Sequence, residues 1–459
     1  MMASARRARS QSQSGASGTV TGAMTGTTAG PGTGAVTGPG TGAGAGSGGC
    51  GAAHPHLRSR SGRGGSFAVQ RLVLLELAAA LLVCGWLIDV YALVPAAVVA
   101  AVLVVLALVR RRGRSLPEWL GGVQALRARR RRAVGSTLPP GTDAGLAPAV
   151  ECDPTLRTYS FGRGDDRRPV GMVGDGGFLT AVLQVEADAG ALRAERGRRP
   201  LPVALVRDVL EVDGIRLESA QIVLHTQPAP APHLPQQSVV VTNYTQLQAQ
   251  TAAPAVRIMW IALKLDPELC PEAVAARGGG LAGAQKCLVR SAEHLSSRLT
   301  GAGFRVNVLT EEEISSAVAT SACANPMVTA QAGQADAPRR RTEESSRSWR
   351  CDNRRHTTYW VRRWPPLGGG DGIGLPQLVA QLTAVPALAT TFSLTLASGG
   401  QGDVTVTGHV RITGRSSSEL ATSRRDLERA ARQARTGLAR LDREQLPGVL
   451  ATLPLGGAR

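Results

Sequence analysis

The amino-acid sequence predicts a mixed α+β protein with an N-terminal pair of membrane helices and a large cytoplasmic domain. Three observations lead to this fold class: an apolar run between residues 72 and 109, arginines on both flanks of that run, and a recurring order of strand and helix patterns beyond residue 151. With 459 residues, of which 43% are apolar, the chain is long enough for several domains that each bury a core. A wholly disordered chain is excluded.

Residues 1–66 consist largely of glycine, threonine, serine and alanine, with interspersed arginines. A segment of this composition has too little apolar surface to offset the entropy lost on ordering, so we expect a disordered tail. Arginine supplies nearly all of the basic charge of the chain, whose formal net charge is +18. Such a charge fits nucleic acid, an anionic membrane or mere codon bias on a solvated surface, so the placement of the arginines has to decide.

The apolar run predicts a transmembrane hairpin over residues 67–110, with helices at about 72–88 and 92–109. As a single helix the run would be roughly 57 Å long, almost twice the roughly 30 Å hydrocarbon core of a bilayer. The chain is therefore expected to turn, and Asp89 marks the turn because it interrupts the apolar residues.

The flanks of the hairpin predict its orientation. Arginines lie on both sides of it, whereas its turn carries no basic residue, so both termini are predicted to be cytoplasmic in a multi-pass protein of the inner (plasma) membrane. Trp86 and Tyr91 lie beside the turn, as interfacial aromatic residues do. Glu76 lies about one helical turn inside the first span. It is predicted either to snorkel to the interface or to contact a partner helix.

Residues 115–133 are predicted to form a basic amphipathic helix directly after the hairpin. Ser115 is a suitable N-cap, Trp119 and Leu120 lie on the apolar face, and a run of arginines follows. Helices of this kind lie on membrane surfaces, so anionic inner-leaflet lipids are predicted partners. Nucleic acid is the rival ligand of an arginine run, but with a membrane span immediately upstream no nucleic acid is expected.

Two α+β halves are predicted beyond a Pro/Gly-rich linker at residues 134–150. The first half covers residues 151–329 and the second covers 349–459, with a polar linker at 330–348 between them. Both halves have the order strand, helix, strand, strand, helix, strand, which is the split β-α-β-β-α-β order of ferredoxin-like domains. The repeat rests on this order alone. The last helix of the second half is predicted to span 417–441.

The chain carries few signs of catalytic chemistry. Gly171 to Gly177 has the glycine density of a phosphate loop, but no Lys-Ser/Thr pair follows, so a hairpin turn is the better interpretation. Asp165 and Asp166 form an acidic pair that could serve a membrane-anchored, metal-dependent transferase acting at the cytoplasmic face. The histidines are isolated and the cysteines form no C-x-x-C pair, so no metal and no cofactor are predicted. We therefore expect a non-enzymatic protein, with the transferase as the alternative.

The segment from Trp349 to Trp364 is the densest cluster of aromatic and basic residues. It holds three of the six tryptophans, interleaved with arginines in a strand pattern. On an exposed face such residues stack bases or dock a protein, whereas on a buried face they form an aromatic core strand at a domain seam. The sequence leaves both interpretations open. The candidate membrane- or partner-contacting residues of the whole chain are Glu76, Trp119, Leu120, Trp349, Trp360 and Trp364.

Three motifs, taken in order along the chain, carry a resemblance to a known family. They are Arg71-Leu72-Val73-Leu74, then Ser115-Leu116-Pro117-Glu118-Trp119-Leu120, then the Trp349 to Trp364 segment with His356-Thr357-Thr358-Tyr359. In this order they resemble EccE, a membrane component of the actinobacterial type VII (ESX) secretion system, over about residues 67–456. The resemblance implies a non-enzymatic inner-membrane subunit that assembles with EccB, EccC and EccD and stabilises the complex, while the EccC ATPase drives export. It carries over no catalytic residue, and the N-terminal tail departs from the family pattern.

Overall fold

The computed structural model describes residues 64–457, with gaps at 89, 109, 112–113, 136, 163–167, 188–199, 228–255, 333–339, 368–372 and 400–402. The predicted tail therefore lies outside the described residues as far as residue 63, and so do Asp165 and Asp166. The described residues all fall in one compact unit.

The described elements follow the chain in a mixed order of helices and strands. The helices are α1 (Gly64–Ile88), α2 (Val90–Leu108), α3 (Leu116–Gly135), α4 (Ala147–Val150), α5 (Val203–Asp208), α6 (Pro271–Ala276), α7 (Gly280–Gly301), α8 (Glu311–Ser321), α9 (Pro326–Ala332), α10 (Leu375–Thr383), α11 (Ser417–Gln433) and α12 (Gln445–Leu450). The strands are β1 (Arg110–Arg111), β2 (Arg114–Ser115), β3 (Arg157–Phe161), β4 (Val170–Gly174), β5 (Leu179–Ala187), β6 (Glu211–Val212), β7 (Ile215–Arg216), β8 (Ser219–Gln227), β9 (Val256–Leu265), β10 (Phe304–Val308), β11 (Thr342–Glu344), β12 (Trp349–Cys351), β13 (Arg354–Arg363), β14 (Ala389–Ser398), β15 (Val404–Gly414) and β16 (Gly437–Arg440).

Helices α1 and α2 pack against each other at the N-terminal end of the described chain. Exposed apolar and aromatic side chains cover them, among them Trp86 and Tyr91 near the turn. Several side chains of this pair lie outside the described residues. Over the residues that are described, no helix combines the length and the apolar character needed to cross a membrane. The predicted membrane hairpin is not confirmed and stays a prediction.

A twelve-stranded antiparallel sheet forms the centre of the body, which confirms the mixed α/β class. Its order is β11-β12-β13-β15-β14-β8-β9-β5-β4-β3, with β10 also paired to β5 and β16 also paired to β13. The regions predicted as two halves meet where β8 and β14 pair, from Ser219↔Ala397 to Thr226↔Thr390. The two predicted halves therefore share one continuous sheet.

Both sides of the β8–β14 seam have the same connectivity. On one side the chain runs β5-α5-β8-β9-α7-β10-α8, with the short hairpin β6-β7 inserted before β8 and helix α6 before α7. On the other side it runs β13-α10-β14-β15-α11-β16-α12. The pairings match as well: β9 lies between β8 and β5, with β10 beyond β5, while β15 lies between β14 and β13, with β16 beyond β13. The recurring order of strand and helix patterns in the sequence thus corresponds to the same order of paired strands on both sides of the seam.

Local sequence explains several of these elements. β-Branched residues dominate β15, as strands favour. The glycine-rich hairpin turn is confirmed, because β4 ends at Gly174 and Asp175 accepts hydrogen bonds from the backbone N–H groups of Gly177 and Phe178. A capping box of Thr310 and Glu313 starts α8.

Two layers cover the sheet. Helices α5, α6, α7, α10 and α11 bury an apolar core on one side, which we call the apolar face. Helices α4 and α8 and the chain from residue 445 to 457, called the C-terminal segment, cover the other side. We call this second side the mixed face, because buried polar residues such as Gln221, His225 and Arg411 lie among its apolar ones.

Two predicted boundaries differ from the structure. The helix predicted over 417–441 ends at Gln433, and β16 follows it and pairs with β13. Arg435 adopts a left-handed conformation (φ 52°) that stops the helix, and Gly437 begins the strand. The polar linker predicted over 330–348 contains strand β11, because its polar residues find buried partners.

Candidate functional site

The attachment of helix α3 to the sheet is the first candidate functional site, since it joins the N-terminal helices to the body. Arg129 donates two hydrogen bonds to the carboxylate of Glu344 in β11, at 2.8 and 3.0 Å. Its Nη2 also donates to the carbonyl of Arg443 at 2.5 Å. The adjacent Arg130 donates through Nε to the Glu344 carbonyl at 2.9 Å. Two arginines of the basic run thus bind protein rather than solvent.

Glu344 is the centre of this attachment. Its side chain is only 4% exposed, against 19% for Arg129. Its Oε1 also accepts the backbone N–H of Leu446, at the start of the C-terminal segment. A forked guanidinium–carboxylate pair with this burial fixes orientation as well as distance. One carboxylate therefore ties α3, β11 and the C-terminal segment together.

A second buried ion pair involves Arg341, the residue before β11. Arg341 makes a forked contact with Asp352 at 2.8 and 2.9 Å, and both side chains are 3% exposed. Burial lowers the pKa of Arg341, but the hydrogen bonds and charge of Asp352 outweigh it, and the net pKa is raised. Arg341 also donates to the carbonyl of Ala144 at 2.8 Å. The guanidinium is therefore charged and anchors the chain that follows α3.

Glu151 completes this anchoring from the other direction. Its carboxylate accepts the backbone N–H groups of Arg341 and Thr342 at 2.7 to 3.0 Å. Arg340 donates to the carbonyls of Glu151 and Ala133, at 2.9 and 3.1 Å. The segment between α3 and β3, predicted to be a linker, is held to the sheet at both of its ends.

The three tryptophans of the aromatic segment have different surroundings. Trp349 is fully buried on the mixed face, with its ring 5.0 Å from that of His356. Trp360 is half-buried and pairs in register with His409. Trp364 is half-buried and lines an open cleft beyond the end of β13. The segment is thus a core strand at one end and a surface at the other.

The mixed face holds a layer of buried cationic and polar groups. Arg411 is fully buried and donates to the carbonyl and hydroxyl of Ser321 and to Thr391. Its Nε and Nη1 have no acceptor among the described residues. Burial lowers the pKa of Arg411 to about 10, partly offset by nearby cysteines. Among the described residues this buried charge has no carboxylate partner, so its burial is destabilising.

Three histidines belong to the same layer. Burial and the charge of Arg411 lower the pKa of His225 to about 3, and burial lowers that of His409 to about 4. Burial, with Arg411 next in effect, holds the pKa of His356 well below its usual range. His225 and His356 hydrogen-bond through Nδ1 to Thr391 and Thr413. All three rings are therefore neutral at physiological pH.

The remaining predicted candidates lie apart from these contacts. Glu76 is exposed in α1, and Leu120 is 46% exposed in α3. The side chain of Trp119 lies outside the described residues. Within the described ranges, no group of three or more His, Cys, Asp or Glu residues is arranged to hold a metal ion. The candidate residues are therefore not brought together into one site.

Sequence reasoning missed the residues that make the strongest contacts. Glu344, Arg341 and Asp352 lie in or beside a stretch predicted as a polar linker, and the arginines of α3 were assigned to lipids. The available signal was the density of opposite charges in that stretch, from Arg339 to Asp352. Such density marks an ion-pair network only when the partners are buried, and burial is not visible in one sequence.

Comparison with known proteins adds an independent finding. The model of a family described as "Putative type VII ESX secretion system translocon, EccE" matches residues 253–361. ESX-1 secretion system protein EccE1 of Mycobacterium tuberculosis is 30% identical over 213 residues, in both strain CDC 1551 and strain H37Rv. These alignments cover 44% of this chain and 40% of the relatives, so the chain spans about two fifths of the length of the curated relatives it matches. The resemblance to EccE predicted from the motifs is confirmed.

Proposed function

We propose, on the premise of this resemblance to EccE, that the chain is a non-enzymatic structural subunit of a type VII protein secretion complex. The observation that carries the proposal is the attachment of α3 to β11 through Arg129 and Glu344. It joins α1 and α2, the helices proposed to span the membrane, to a large sheet. Such a connection suits a structural subunit whose membrane part and body keep a fixed arrangement. The family match at 253–361 includes β11 and Glu344.

The proposed role places the chain in the inner membrane, with its body in the cytoplasm and both termini on that side. The support is the apolar sequence between residues 72 and 109, the packing of α1 on α2, and the flanking arginines. Within α3, Arg127, Arg131 and Arg132 are exposed and remain available to anionic lipids. The body is proposed to consist of two ferredoxin-like halves, which the matching connectivity on both sides of the β8–β14 seam supports.

The proposed partners are the other subunits of the complex, EccB, EccC and EccD. EccE1 of the relatives carries a name that assigns it to the ESX-1 secretion system, and the proposal extends such an assignment to this chain. Purification of the native protein in mild detergent tests it. We expect an ATPase and further membrane subunits to co-purify. A lone monomer in such a preparation would refute the proposal.

The role of the α3 attachment is tested by a matched pair of variants. Glu344→Gln removes the charge that holds Arg129, whereas Glu343→Gln changes its exposed neighbour, which pairs with Arg350 at the surface. Breaking a buried pair by removing one partner costs about 3–5 kcal/mol, so α3 should detach in the first variant only. Trypsin should then cut the arginine run of α3 rapidly, and co-purification should fall. Equal behaviour of both variants would contradict the proposed role of α3.

A further inference from the structure

An open cleft of about 820 Å³ lies beyond the end of strand β13, on the far side of the aromatic segment from α3. Its lining includes the chain from Arg362 to Leu367 and Arg435, and we call it the basic cleft. Three arginines, an indole and two consecutive prolines contribute to it, and none of the lining residues that the structure describes carries a carboxyl group. Arginine and tryptophan are the residues that most often dominate the affinity of a protein interface.

A bulge in β13 marks the point where the side chains of the aromatic segment stop entering the core and begin to line the cleft. The register with β16 shifts between Val361 and Arg363, so the regular alternation of buried and exposed side chains is interrupted there. Val361 is fully buried, whereas Arg363 is exposed. Trp364 packs closely against Gly408 of β15, since a Cβ at Gly408 would approach its ring carbons to 2.6 Å. The glycine thus fixes the indole in the wall of the cleft.

Arg435 lies in the cleft at a conformational cost. It follows helix α11 in the left-handed region (φ 52°), where the amide of Thr436 closes the helix on the carbonyl of Ala431. Glycine is the usual residue at this position because it has no Cβ to clash. The fold alone would therefore favour glycine at residue 435. An exposed arginine kept in a strained position indicates a role for its side chain.

The charges of the cleft determine its occupant. Neither Arg363 nor Arg435 forms an ion pair with another described residue, so no described carboxylate competes with a ligand for either guanidinium group. An extended acidic peptide fits best, because carboxylates match arginine forks, and the indole and prolines offer apolar contact to the chain between them. A single tryptophan gives one stacking platform, fewer than binders of single-stranded nucleic acid use.

We propose that the basic cleft binds an acidic peptide segment of a partner subunit, with Arg363 and Arg435 pairing to its carboxylates and Trp364 packing against it. The proposal rests on the proposed function only for the source of the peptide. The recognition chemistry belongs to this chain alone, and it is measured on this chain alone.

The experiment uses the full chain in detergent and a fluorescein-labelled oligoglutamate peptide, with a glycine-serine peptide of equal length as reference. We expect the acidic peptide to bind and Arg363→Glu and Arg435→Glu each to weaken it about tenfold or more. Arg425→Glu is the matched control, because it places the same charge change on the exposed side of α11 outside the cleft. Equal weakening by the control would show charge attraction without a site and overturn the proposal.

Arg435→Gly gives the sharpest result, since two effects of opposite sign are expected. The substitution relieves the left-handed arginine and should raise the thermal unfolding midpoint, while it weakens peptide binding several-fold. A general loss of folding would lower both quantities together. Unchanged binding, or tighter binding of a single-stranded DNA oligonucleotide of equal charge, would overturn the proposal. Because no partner is present in this measurement, its failure leaves the co-purification test, and hence the proposed function, untouched.

Discussion

The two faces of the central sheet are built from the same strands yet follow different chemistry. On β15, Val410 and Ile412 enter the apolar face and contact helices, whereas His409 and Arg411 enter the mixed face between them. The apolar face is covered by regular helices with aliphatic side chains. The mixed face is covered mainly by short elements and irregular chain that must satisfy buried polar groups.

This difference indicates which face keeps its stability when pH or hydrogen-bond partners change, and which face does not. Burial of aliphatic groups depends little on solution conditions or on precise partners. Buried polar groups, in contrast, contribute only while each hydrogen bond and each protonation state is kept. Helix α3 also attaches to the mixed face. The part of the molecule that we assign to assembly therefore lies on the face whose stability depends on hydrogen bonds and protonation states.

The largest effect is expected from removing the cover of the mixed face. A chain that stops after Glu444 loses the buried residues Val449, Leu453 and Leu455 and the carbonyls that accept hydrogen bonds from Thr180, Ser219, Gln221 and Ser321. The resulting loss of unfolding free energy should exceed the roughly 5–15 kcal/mol that stabilises a typical domain. We expect no cooperative unfolding transition by circular dichroism. A truncated chain with a normal transition would show that the apolar face folds by itself.

A smaller effect is expected from acid, and it should act on the mixed face only. The pKa values of His225, His356 and His409 are lowered in the folded state, so the unfolded chain binds protons first, below about pH 6.5. The stabilisation is complete above this pH and is lost as pH falls toward about 4. Each histidine should contribute about 1.4 kcal/mol per pH unit in this window.

Urea unfolding at several pH values measures this slope. His409→Gln should reduce the slope by about one proton, because glutamine does not titrate. His294→Gln is the control, since His294 lies half-exposed in α7 on the apolar side and outside the buried layer. If both variants keep the slope of the parent chain, the acid response does not come from the mixed face.

The smallest effects are expected from single substitutions at two adjacent positions of β15, one on each face of the sheet. Ile412→Ala opens a cavity in the apolar face and should cost about 2–5 kcal/mol of unfolding free energy. Arg411→Met removes a buried charge without a carboxylate partner, along with its bonds to Ser321, and should change stability by less than about 1 kcal/mol. Denaturant unfolding of both variants measures the difference. A cost for Arg411→Met equal to that for Ile412→Ala would make the mixed face as intolerant as the apolar one.

The sequence allowed some parts of the fold to be predicted because their causes are local. The turn after Gly174 and the start of α3 at Leu116 depend on residues within a few positions of one another. The EccE resemblance likewise rests on short motifs. The predicted end of α11 was wrong because Arg435, in a left-handed conformation, replaces the glycine that usually marks the end of a helix.

The candidate site could be predicted only as separate pieces. The arginines of α3 and the acidic residues near Glu344 were visible, but Arg129 and Glu344 are separated by 215 positions. Either residue alone is typical of a solvated surface or of a lipid contact. The tryptophans are close together in the sequence, yet their division between core and cleft follows from the bulge at the end of β13, which no periodicity predicts.

By itself, the sequence determined the apolar and polar periods, the helix starts and turns, the distribution of arginines and the resemblance to EccE. These depend on local propensity and composition. The tertiary structure alone decided that β8 and β14 join both halves in one sheet, that Arg411 is buried, and that Arg129 binds Glu344. The physical reason is that burial and pairing depend on which distant residues share a neighbourhood, and that is a property of the folded chain.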